Sequence, residues 1–89
     1  MRAIITVIGK DRVGIIAEVT NLMAQHDINI LDISQTILQE YFTMIMLVDT
    51  AASTISFAEL ARLLEKAGDD MGLKIHAQRE DIFNAMHRI

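Results

Sequence analysis

The sequence predicts an α+β fold in which a four-stranded antiparallel sheet carries two helices on one face, with a short helix at the C-terminal end. Three observations predict it. Strand-like and helix-like hydrophobic periods follow one another in the order β-α-β-β-α-β. The second and third strands are separated only by Gln39-Glu40, a connection that suits a hairpin. The first and third strands are apolar on both faces, which suits central positions in a sheet. At 89 residues the chain is expected to be one domain, residues 1–89.

Arg2 to Ile8 is β-branched and apolar and reads as the first strand, with a turn expected at Gly9. Ile15, Ile16, Val19, Leu22 and Met23 then share one helical face, opposite Glu18, Asn21 and Gln25, in a helix that ends near His26-Asp27. Ile28 to Leu38 reads as the second strand, with a break in phase. Ile28 and Ile30 have even parity and Ile33 and Ile37 odd, so a period-2 strand cannot put both pairs on one face, and a bulge or twist is expected near Leu31-Asp32. Tyr41 to Asp49 is the third strand. Ser56-Phe57-Ala58-Glu59 fits a capping box. The helix it opens presents Phe57, Leu60, Ala61, Leu64, Ala67 and Met71 on one face, and Gly72 suits its left-handed stop. Leu73 to Gln78 alternates cleanly as the fourth strand. From Glu80, the residues Ile82, Phe83, Met86 and Ile89 have the spacing of an amphipathic helix over about 80–88. This order is the split-βαβ, ferredoxin-like pattern. Both faces of the central strands are apolar, with Ile4 and Ile8 against Ile5 and Val7 and with Phe42, Met44, Met46 and Val48 against Ile45 and Leu47. One face goes under the helices and the other needs a cover from the tail helix or a second subunit. A homodimer or higher homo-oligomer is therefore expected.

Composition removes several functions. Hydrophobic residues at 52% are incompatible with disorder. A net charge of −4 lacks the cationic footprint of a nucleic-acid binder, so no nucleic-acid partner is expected. The absence of cysteine excludes disulfides and thiolate metal sites and suits a reducing compartment. No apolar run approaches a membrane span, and the start of the chain lacks a signal-peptide pattern. The chain is expected to be complete, cytoplasmic and free of any membrane.

The densest candidate site is Gly9-Lys10-Asp11-Arg12-Val13-Gly14, between a strand and a helix. Its glycines permit close backbone approach, and free N–H groups at the helix start can bind a carboxylate or phosphate. Asp11 could accept a ligand ammonium or merely cap the helix; Lys10 and Arg12 could pair an anion or form a solvated rim. The glycine spacing matches a phosphate-binding P-loop, but Ile15 and Ile16 stand where its Lys and Ser/Thr belong, which excludes one.

The run Gly9-Lys10-Asp11-Arg12-Val13-Gly14-Ile15-Ile16, followed by Ile28-Asn29-Ile30-Leu31-Asp32-Ile33, resembles an ACT domain, a small ligand-sensing module of amino-acid metabolism. Many such domains carry Asp-x-x-Gly at the start of the first helix and Asn at the start of the second strand. Asp32-Ile33-Ser34-Gln35-Thr36 and Glu40-Tyr41-Phe42-Thr43-Met44 are similar to the short stand-alone prokaryotic ACT-domain proteins. The resemblance implies a non-catalytic regulatory protein, whose subunits pair and bind a small-molecule effector of the amino-acid class near the first loop, at a subunit interface. On this chain Asp11, Arg12, Val13 and Gly14 would line that site, with Asn29 reaching it from the second strand. Val13 departs from the Pro that many members carry there, which makes the loop less rigid. A protein partner would receive the signal.

Two alternatives stay open. Some ACT domains bind nothing and act as dimerisation or partner-docking modules. An acylphosphatase-like enzyme shares the element order and uses an Arg in the first loop with an Asn on the second strand, which Arg12 and Asn29 mimic, although that family's loop motif is missing. An RNA-binding sheet is excluded by the acidic charge and the missing aromatic stacking motif. No cofactor motif is present, and His26, His76 and His87 lack metal-ligand spacing, so neither cofactor nor metal is expected.

Overall fold

A computed structural model of the chain describes residues 1–86, without the side chains of residues 85 and 86. The elements are β1 (Arg2–Lys10), α1 (Ile15–Gln25), β2 (Asn29–Leu38), β3 (Tyr41–Asp49), α2 (Phe57–Met71), β4 (Leu73–Arg79) and α3 (Glu80–Met86). The strands form one sheet in the order β2-β3-β1-β4, every neighbouring pair antiparallel, so β1 and β3 are central as their two-sided apolar pattern requires. This is the expected ferredoxin-like arrangement.

Strand alternation decides which side chains meet the helices. Ala3, Ile5 and Val7 of β1 and Phe42, Met44, Met46 and Val48 of β3 are buried on one face, joined by Leu73 and Ile75 of β4. Ile15, Val19 and Met23 of α1 and Leu60 and Leu64 of α2 close over them. Near its C-terminal end α2 lies close against β4 at Gly68, where a Cβ would stand 2.8 Å from the Leu73 carbonyl oxygen.

The break in phase of β2 is resolved by a register shift. Ile30 pairs with Val48 and Asp32 with Leu47, leaving Leu31 as the extra residue. The bulge turns Ile33, Gln35 and Ile37 to the helix side, opposite Met46, Met44 and Phe42. Only Ile30 of β2 is even half-buried, because this edge strand extends past the cover of α1.

β1 runs two residues beyond its expected end at Ile8, through the turn expected at Gly9. Gly9 pairs with Phe42 and Leu73, and Lys10 with Tyr41, so the turn begins only at Asp11. The expected helix over 80–88 is observed as Glu80–Met86; residues 87 and 88, with His87 and Ile89, lie outside the described residues. α3 packs beside the β1 and β4 end where Arg2 meets Glu80 at 2.9 Å. Much of the opposite face stays open, with Ile8 and Ile45 exposed and Ile4 and Leu47 half-buried. Among the described residues no helix is long and apolar enough to cross a membrane.

Candidate functional site

The two main helices begin in different ways. At α2, the Ser56 Oγ accepts a hydrogen bond from the Glu59 N–H at 3.2 Å and lies 3.3 Å from the Glu59 carboxylate, as the capping box predicts. At α1, the N-cap is Gly14 in the left-handed region (φ 94°), and no side chain caps the helix. The Glu18 N–H donates to the Gly14 carbonyl at 2.9 Å and closes the first turn, leaving the N–H groups before it for solvent or a ligand. Asp11, a possible cap by sequence, does not cap this helix. Its N–H donates to the Glu40 carbonyl at 2.7 Å, tying the first loop to the β2–β3 hairpin.

A pocket of about 260 Å³ sits against this uncapped start. Asp11, Arg12 and Gly14 line it from the loop, and Gln35, Ile37 and Phe42 line it from the sheet. Arg12 is held toward it by a 3.7 Å contact to Glu18, through side chains that are each about half exposed (44% and 52%), a weak tether that an anionic ligand could compete for. The arrangement offers backbone donors and a guanidinium for a carboxylate, and the Asp11 carboxylate and Gln35 amide for an ammonium.

The structure brings together three of the five residues named from sequence. Val13 is 95% exposed and does not line the pocket. Asn29 pairs with Asp49, which also pairs with Arg2, whereas the loop follows Lys10. Eight residues of β1 separate those ends, about 27 Å at ~3.4 Å per residue. Asn29 and Arg12 of one chain therefore cannot share a ligand, which leaves the acylphosphatase-like pairing without its geometry in a single chain. Gln35, Ile37 and Phe42 are the sheet residues of the pocket that sequence reasoning missed. The signal was present in Gln35, a lone polar residue between Ile33 and Ile37 in the inward phase that the bulge creates.

Comparison with known proteins settles the family. An ACT-domain family model matches residues 2–78. This chain belongs to the ACT-domain family. A UPF0237 protein of Clostridium acetobutylicum is 57% identical across the full length of both chains. An ACT-domain protein from Streptococcus pneumoniae is 45% identical, covers 98% of each chain and superposes with a TM-score of 0.83. A putative glycine cleavage system transcriptional repressor is 27% identical with a TM-score of 0.75 over 86% of this chain, which spans 44% of that protein. The ACT domain described here is thus similar to short proteins of its own length as well as to part of a larger regulator. Among its described residues, no cluster of three or more metal-ligating side chains is present.

Proposed function

We propose that this ACT-domain protein is a non-catalytic cytoplasmic sensor of an amino acid, acting as a homodimer or higher homo-oligomer and signalling through altered contacts with a protein partner. The observation that carries the reading is the uncapped start of α1 facing a pocket that holds Arg12, Asp11 and Gln35. A ligand carboxylate takes the free N–H groups and Arg12, its ammonium takes Asp11, and its side chain lies against Ile37 and Phe42.

The distance of Asn29 from the loop supports a shared site. β2 is an edge strand whose outer backbone groups have no strand partner among the described residues. Antiparallel pairing of two β2 strands about a two-fold axis places the start of one beside the end of the other, which brings the partner subunit's Asn29 toward Gln35 and Ile37. Subunit pairing and ligand binding are then one event.

The test is thermal unfolding followed by far-ultraviolet circular dichroism against the free amino acids. A ligand at 100 times its Kd adds about 2.7 kcal/mol, which raises the midpoint of a domain this size by on the order of 10 °C. The expected result is a shift confined to one chemical class of amino acid and lost in Asp11→Ala. No shift with any amino acid overturns the sensor reading in favour of a dimerisation or docking module, for which the open sheet face with Ile8 and Ile45 is the specific support.

A further inference from the structure

A second cleft, of about 600 Å³, opens at the same end of the sheet but toward β4, and it shares no residue with the α1 pocket. Ile8 and Lys10 close β1 here, Tyr41 opens β3, Leu73 and Lys74 open β4, and Asp69 reaches the rim from the last turn of α2. The register explains their meeting. Ile8 pairs with Lys74 and Lys10 with Tyr41, so all four occupy the sheet face away from the helices. Ile8 and Tyr41 keep about half their surface exposed (48% and 49%), a patch of apolar and aromatic area in a concave site.

Among the described residues, the Lys10 and Lys74 ammonium groups make no ion pair, and neither does the Asp69 carboxylate. Two cations and one carboxylate leave a local charge of one positive unit in a protein whose net charge is −4. A ligand with one negative charge brings that local charge to zero. We propose that this cleft binds a monocarboxylate with an apolar body, its carboxylate between Lys10 and Lys74 and its body over Ile8 and Tyr41. The proposal is independent of the amino-acid site at α1.

Tyr41 is the only tyrosine and there is no tryptophan, so the intrinsic tyrosine emission arises from a residue that lines this cleft. The full-length protein is titrated with isocaproate, with its uncharged amide and with inorganic phosphate. A saturable change with isocaproate is expected, weakened at least about tenfold for the amide and for Lys10→Gln/Lys74→Gln, as loss of charge-assisted contacts implies. The single Lys74→Gln variant should fall between the parent and the double variant. A flat titration overturns the proposal, as does an equal response to the amide or undiminished binding by the double variant. Phosphate binding as tight as isocaproate shows an anion site without an apolar subsite and overturns it too.

Discussion

Replacing Gly68 by Ala sets two effects of opposite sign against each other. Gly68 lies inside α2, where alanine is favoured over glycine by about 0.8–1.0 kcal/mol. The added Cβ, however, would stand 2.8 Å from the Leu73 carbonyl oxygen, 3.1 Å from Ile75 Cγ1 and 3.3 Å from the Ile75 nitrogen. Two of those atoms are backbone of β4, paired with β1 in the sheet, so they cannot give way as a side chain does. The helix must lift, loosening Leu60 and Leu64 from the core, and overpacking of this kind costs about 1–3 kcal/mol. The contact outweighs the propensity, and a net loss of about 1 kcal/mol should lower the Tm by about 4–8 °C. Circular dichroism melts at one fixed protein concentration measure it, with Glu65→Ala and Glu65→Gly at an exposed position of α2 giving the propensity difference on its own. A Gly68→Ala protein that melts higher than its parent would falsify the claim that α2 is seated by a backbone contact.

Other substitutions follow from the same coordinates. Ser56→Ala removes the capping hydrogen bond to the Glu59 N–H and should cost about 1 kcal/mol in a denaturant titration, whereas an unmoved midpoint means that water replaces the cap. Met44→Ala empties a fully buried site between sheet and helices and should cost about 2–5 kcal/mol; a loss under about 1 kcal/mol would mean that the core collapses around it. Gly14→Ala meets no atom nearer than Glu18 Oε1 at 4.0 Å, so its cost of about 1–2 kcal/mol comes from the left-handed backbone alone, and stability equal to the parent's would remove that strain from the account. Asn29→Ala should weaken amino-acid binding by about 1–3 kcal/mol in calorimetry through loss of the partner's contact; unchanged affinity would detach Asn29 from the site.

Most of the fold was legible because it depends on local periodicity. The parity conflict between Ile30 and Ile33 located the bulge at Leu31, and the two-sided apolar pattern of β1 and β3 placed them centrally. Ser56 and Glu59 announced the start of α2 within four residues of sequence. The site was less legible, since its geometry depends on strand register over long separations. Nothing local to Asn29 says that it stands beside Asp49 and Arg2, at the end of the sheet remote from the loop. Gln35 and Ile37 acquire their place only once the bulge has turned them inward and the hairpin has set them opposite Met44 and Phe42. The extension of β1 past Gly9 was hidden for a related reason: glycine reads as a stop until its partners Phe42 and Leu73 are known.

The bulge at Leu31 also bears on how large an assembly this chain can build. A sheet with two matching, bare edges invites head-to-tail addition, which extends without limit into a filament. Here the two edges differ. β2 carries ten residues and an irregular kink at Leu31, whereas β4 carries seven, with Lys74, His76 and Arg79 among them and α3 following directly. A β2 strand laid on a β4 edge would have to match its kink to a regular partner and bury charge against it. Laid on its own copy, the same kink recurs symmetrically, both β2 edges are consumed, and growth stops at two.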